Sequence, residues 1–203
     1  MSVKKFIKQY RVVPVVVFND LDEVRPKLQA MCDGGLPIAE ITYRTDCAGE
    51  AIKIAVREFP QMLVGAGTVI NAAQCKEALS LGARFIVSPG FCVEAAKLCN
   101  LYDVPYLGGC VTPTEIMTAL EYKCDIIKFF PASNFGGLAA MKALSAAFPA
   151  ATFLPTGGIS DENLAEYLAW DKIFAVGGSW MVKGTPAEIE AKCRAAVEIA
   201  KNA

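Results

Sequence analysis

Val12-Val-Pro-Val-Val-Val-Phe18 is a seven-residue apolar run interrupted only by Pro14. It is too short to span a membrane, and its β-branched content suits a buried strand. Seven more short apolar runs follow: Ala39–Thr42, Leu63–Ala66, Phe85–Val87, Tyr106–Gly108, Ile126–Phe130, Thr152–Pro155 and Phe174–Val176. Their starts fall 20 to 27 residues apart. That interval fits a strand, a helix and two short connections, and near-continuous hydrophobicity is the mark of parallel strands covered by helices.

The segments between the runs carry helical periodicity. Leu21, Val24, Leu28 and Met31 lie on one helical face, as do Ala48, Ile52, Ala55, Val56 and Phe59. A further helix is predicted around Ala78 and Leu79. Asp20, Asn71, Thr112 before Pro113, and Asp161 are predicted helix starts. Met1 to Tyr10 predicts an extra leading helix, and Ala187 to Lys201 a closing one. Eight strands alternating with eight helices over residues 1–203 predict a single-domain α/β protein, a closed (β/α)8 TIM barrel. An open six- or seven-stranded sheet is the alternative if one run is not a strand.

Composition narrows the function. Of 203 residues 54% are apolar, so a large core is expected and dominant disorder is not. Twenty Lys+Arg against 21 Asp+Glu leave a net charge of −1, which predicts neither a nucleic-acid partner nor a membrane surface. The absence of histidine excludes a Ser-His-Asp triad, a Cys-His dyad and His-ligated zinc. Cysteines at 32, 47, 75, 92, 99, 110, 124 and 193 show no zinc-knuckle spacing. They are expected to be reduced, buried thiols of a cytoplasmic protein. Lys4 and Lys5 precede an apolar stretch too short for a signal peptide. The longest uncharged stretch, Ala143 to Ser160, holds Pro149, Pro155, Gly157 and Gly158 and is no ordinary membrane span.

In such a barrel, function gathers where strands end at their carboxyl side. Two strand ends carry charge inside an apolar frame. Within Ile126-Ile-Lys-Phe-Phe130, alternation puts Ile126, Lys128 and Phe130 on one face and Ile127 with Phe129 on the other. If the second pair packs under helices, Lys128 points inward. Only a neutral amine attacks a carbonyl, and desolvation favours that form. The plainer reading is a snorkelling lysine or a structural salt bridge. Glu40 ends the second run and Arg44 follows four residues later. A carboxylate meeting a lysine makes an acid/base and nucleophile pair, and Arg44 offers a fork for a substrate carboxylate. A structural Glu–Arg ion pair is the competing reading. Finally, Thr156-Gly157-Gly158 and Gly177-Gly178-Ser179 place two glycine doublets after the seventh and eighth strands. Bare N–H groups beside hydroxyls in those adjacent loops can cradle a phosphate.

Taken together, Gly35-Leu-Pro-Ile-Ala-Glu-Ile-Thr-Tyr-Arg44, Val64-Gly-Ala-Gly-Thr68, Ser88-Pro-Gly90, Lys128-Phe-Phe-Pro-Ala132 and the two doublets resemble the 2-keto-3-deoxy-6-phosphogluconate (KDPG) aldolases. This class I family also includes 4-hydroxy-2-oxoglutarate (KHG) aldolases. The likeness runs in order from about Val12 to Val182. It implies a Schiff base on Lys128, with Glu40 as general acid/base acting partly through water. It places Arg44 and Thr68 on the carboxylate of the pyruvate moiety, with Pro89 and Phe130 shaping the pocket. Thr156, Gly157, Gly158, Gly178 and Ser179 are then the phosphate loops. The resemblance further implies no metal cofactor, a phosphorylated keto acid as substrate, the Entner–Doudoroff pathway and a homotrimer.

The chain departs from the family in three places. Tyr43 replaces a Leu or Phe, Lys123 replaces a glycine, and Leu107-Gly-Gly-Cys110 lacks a proline before its glycine. Read from the residues alone, three rivals stay open: a sugar-phosphate isomerase or epimerase, a non-catalytic phosphometabolite-binding barrel, and a metal-dependent aldolase.

Overall fold

The computed structural model describes residues 1–203. Helix α1 (Val3–Tyr10) leads into β1 (Val12–Val16). Strands and helices then alternate: α2 (Val24–Asp33), β2 (Ile38–Thr42), α3 (Ala48–Glu58), β3 (Leu63–Gly67) and α4 (Ala72–Ser80). They continue as β4 (Ile86–Val87), α5 (Val93–Leu101), β5 (Tyr106–Leu107), α6 (Pro113–Glu121), β6 (Ile126–Phe129) and α7 (Gly137–Ala147). β7 (Thr152–Pro155), α8 (Leu164–Leu168), β8 (Val176–Gly178) and α9 (Pro186–Asn202) complete the chain. No helix is long and apolar enough to cross a membrane.

Every strand pairing is parallel. Six strands form one sheet in the order β5-β4-β3-β2-β1-β8, and β6 pairs with β7. Single bridges connect the two sheets at both flanks, Gly109 with Lys128 and Thr156 with Gly177. Backbone bonds flank those bridges: Lys128 N–H donates to Gly108 O at 3.0 Å, and Phe174 N–H to Phe153 O at 2.8 Å. The ladder is therefore not continuous around eight strands. β4 and β5 are only two residues long, and Gly109, two residues past β5, makes the bridge to Lys128. The last strand starts at Val176, two residues later than its hydrophobicity suggests, because pairing with β1 begins at Val12 opposite Val176.

Apolar residues segregate by strand face into two layers. Ile127 and Phe129 join the large cluster between sheet and helices. Ile126, by contrast, joins an inner cluster with Val13, Ile38, Leu63, Phe85, Leu107, Leu154 and Phe174. That cluster is sealed at the amino ends of the strands by Ile7 of α1, with Phe6 and Tyr10 packed against it. The leading helix is thus a plug. Full burial of Ile7 contributes about 1.5–3 kcal/mol.

Local signals set most helix starts. Asn71 Oδ1 accepts from Gln74 N–H at 2.9 Å, and Thr112 forms a capping box with Glu115. Asp20 caps the short 3-10 turn Leu21–Glu23 that precedes α2. Asp161 does not cap a helix: residues 161–163 form turns, and α8 starts only at Leu164. Asn163 explains the delay, since its side chain accepts from Ser160 N–H and donates to Gly158 O. It ties the turn back onto the glycine doublet.

Candidate active site

Glu40 lies mid-way along β2 and Lys128 in β6, both at the carboxyl half of their strands. Above the inner cluster the two side chains meet, Lys128 Nζ standing 3.5 Å from Glu40 Oε1. Lys128 is 2% and Glu40 0% exposed at the side chain. Apart from the Lys128 contact, neither Glu40 oxygen has a hydrogen-bond partner within the protein. A buried carboxylate left so under-satisfied is costly, which marks the pair as a functional candidate. Burial pushes the Glu40 carboxyl above the usual carboxylate range, outweighing the opposite pull of Lys128 and then Arg44. Lys128 Nζ also sits 5.1 Å from the centre of the Phe130 ring.

Gly67, the last residue of β3, creates the space for this carboxylate. A Cβ there would overlap the Glu40 side chain, because Thr42 and Gly67 pair at the end of the β2–β3 register. The same strand's Gly65 accommodates the Phe85 ring. Sequence reasoning quoted both glycines without assigning them a role. Their legible signal is a Gly-x-Gly at a strand end opposite a buried charge.

Arg44 and Thr68 come together: Arg44 Nε donates to Thr68 Oγ1 at 3.1 Å. Thr68 has φ +54°, an uncommon left-handed position for a threonine. The loop after β2 is held down by Thr42 Oγ1 on Val16 O at 3.1 Å and Thr45 Oγ1 on Phe18 O at 2.6 Å. Pro89 lies in the next loop, half-buried, with Gly109 packed so closely on its carbonyl that no Cβ fits. Phe130 lies two residues after the lysine, and the Phe130–Pro131 peptide is cis.

The first glycine doublet meets the loop that follows β6, and the second lies against the first through Thr156. Ala132 N–H donates to Thr156 O at 2.8 Å and Ser133 N–H to Gly157 O at 3.2 Å. Gly157 and Gly158 have φ +95° and +77°, a conformation that favours glycine. Thr156 Oγ1 is buried without a partner and lies against Gly177. Gly178 is covered by the Trp180 ring, with Ser179 between them. Ser133, which sequence reasoning did not single out, presses its hydroxyl on Gly158. Only the fold brings it there, since it lies 25 residues upstream.

A family profile described as KDPG and KHG aldolase matches residues 3–196. The chain belongs to the KDPG/KHG aldolase family. A relative from Treponema pallidum named 2-dehydro-3-deoxy-phosphogluconate aldolase is 41% identical over 182 residues, 90% of this chain and 87% of that one. The Zymomonas mobilis KDPG aldolase, solved with 3-phosphoglycerate, superposes with a TM-score of 0.91 at 38% identity, covering 96% of this chain and 95% of that one. The Legionella pneumophila KDPG aldolase has a TM-score of 0.88 at 34% identity, over 100% and 98% of the two chains. Its structure captured pyruvate at low pH as a covalent carbinolamine.

Set within the aldolase family, one departure gains a physical description. Lys123, expected above to stand in place of a glycine, adopts φ +62°. It keeps the left-handed turn into β6 at a steric cost a glycine would not have. The turn, not the side chain, is what the position requires.

Proposed function

We propose that the protein is a class I aldolase that cleaves KDPG reversibly to pyruvate and glyceraldehyde 3-phosphate, and KHG to pyruvate and glyoxylate. The observation that carries this reading is the fully buried Lys128–Glu40 contact of 3.5 Å, in a chain of the aldolase family. Lys128 Nζ, as the free amine, adds to the C2 ketone while Glu40 supplies a proton to the forming hydroxyl and then recovers one from the Lys128 nitrogen. Glu40 then protonates that hydroxyl as water leaves, giving the imine. Burial raises the Glu40 carboxyl above the usual carboxylate range, which makes it a better proton carrier for both transfers. The iminium draws in the electrons of the C3–C4 bond as Glu40, directly or through a water, takes the C4 hydroxyl proton. The aldehyde departs, the enamine is protonated at C3, and hydrolysis returns pyruvate and Lys128.

Arg44 and Thr68 hold the substrate carboxylate, with Arg44 already oriented by its bond to Thr68. Pro89 and Phe130 shape the walls around the pyruvate moiety. Thr156, Gly157, Gly158, Gly178 and Ser179 receive the phosphate; the unpartnered Thr156 hydroxyl supports this. The covalent pyruvate of the Legionella relative and the 3-phosphoglycerate of the Zymomonas relative are of the chemistry this site would meet. The eight strands read as one closed (β/α)8 barrel forming a single domain, supported by the bridges at both flanks of β6–β7. The enzyme works without a metal, as a homotrimer in the cytoplasm, on the Entner–Doudoroff pathway.

Steady-state cleavage of KDPG, followed by pyruvate release, tests the assignment. Activity that survives EDTA and disappears in Lys128→Arg is the expected result. An isomerase or a binding protein would release no pyruvate at all.

A further inference from the structure

All eight cysteines are free thiols, and two of them meet. Cys75 on α4 and Cys99 on α5 are both 0% exposed, with their Sγ atoms 3.7 Å apart. Neither belongs to the lysine site. They join adjacent helices behind the sheet, and the sulfurs face each other inside an otherwise apolar contact. The Cys99 S–H donated toward Cys75 lowers the Cys75 thiol, while the same contact and burial raise Cys99.

Both thiols are fully buried, so an oxidant reaches them only when the α4–α5 contact opens. A cavity of about 620 Å³ opens at the amino ends of the strands, and Cys99 and Cys124 are among its lining residues. Lys4, Arg84 and Lys123 stand around it with Asp103 and Asp125. The cavity lies beside the Cys99 end of the contact, on the side of the molecule opposite Lys128.

We infer that Cys75 and Cys99 are a thiol–disulfide pair that a peroxide closes, cross-linking α4 to α5. The chemistry balances with two thiols and one hydrogen peroxide. One sulfur attacks a peroxide oxygen, the S–O bond forming as O–O breaks, and the released hydroxide takes that thiol's proton as water. The second sulfur attacks the first. S–S forms, S–O breaks, and the leaving hydroxide departs as a second water with the second thiol's proton. The sulfurs, 3.7 Å apart, have to close by about 1.7 Å to reach the bonded length of about 2.05 Å.

The test treats the folded, full-length protein with hydrogen peroxide, alkylates remaining thiols after denaturation, and reads intact mass and peptides. The expected product has lost about 2 Da before alkylation, takes six alkyl groups in place of eight, gives a peptide linking Cys75 to Cys99, and reverts with dithiothreitol. Cys75→Ala and Cys99→Ala should each abolish that loss while the other six thiols stay alkylatable. The inference is overturned if no Cys75–Cys99 peptide forms, whether the two stay free, over-oxidise to sulfinic acid or pair with other cysteines. It is equally overturned if either single variant still loses the two hydrogens.

Discussion

Gly67→Ala places one methyl group where the proposed acid/base stands. The new Cβ would lie 2.5 Å from Glu40 Cγ and 2.8 Å from its Cδ, against an ordinary contact that begins near 3.4 Å. The Gly67 backbone is not in the left-handed region, so alanine introduces no backbone strain of its own. The cost falls on Glu40, which has to retreat by about 1 Å, and displacements of that size cost on the order of 100-fold in rate. The variant should therefore lose about 100-fold in kcat, about 2.7 kcal/mol of barrier. Overpacking should also destabilise it by roughly 1–3 kcal/mol, lowering Tm by roughly 2 to 12 °C. The assay couples pyruvate release to NADH oxidation, with circular dichroism confirming a folded sample. A folded Gly67→Ala enzyme with kcat within about threefold of the parent would refute the claim that Glu40's placement on Lys128 drives catalysis.

Other expectations follow from the same geometry. Because folding raises the Glu40 carboxyl above its ordinary 4.5, its contribution to stability is full below pH 4.5 and is lost as pH rises through the raised value. Glu40→Gln should remove that loss, so parallel Tm-against-pH curves for the two proteins would contradict it. Arg44→Lys keeps the charge but gives up the planar fork and the 3.1 Å bond to Thr68. It should raise KM about 10- to 100-fold with a smaller change in kcat, and an unchanged KM would count against the carboxylate role. Gly158→Ala forces a Cβ onto Ser133 at φ +77°. It should raise KM for KDPG by about tenfold or more while changing KHG cleavage by less than about threefold. Equal losses on both substrates would contradict a phosphate role for that loop.

Much of this arrangement could be read from residue order. The inward direction of Lys128 followed from strand alternation, and Ile126 and Ile127 do fall into the inner and outer clusters. The Arg44–Thr68 contact joins two residues expected on one substrate group. Strand order along the chain was legible because each run is apolar on both faces. Its pairing was not, since hydrophobicity does not say where a ladder breaks, and here it breaks on either side of β6–β7. Asp161 looked like a cap because its neighbours are polar, yet Asn163 supplies the side chain that holds the turn. Gly67 was silent for a different reason: a glycine's role is the volume it leaves, and the carboxylate filling it comes from another strand. The same holds for Cys75 and Cys99, whose meeting depends on how α4 packs on α5.

The imine on Lys128 is the centre of the account, and borohydride trapping measures it most directly. Treated with pyruvate and sodium borohydride, the protein should gain one reduced pyruvate adduct, mapped to the peptide containing Lys128 and absent when pyruvate is omitted. A folded, active protein that gains no adduct, or gains it on another lysine, would contradict the Schiff-base mechanism.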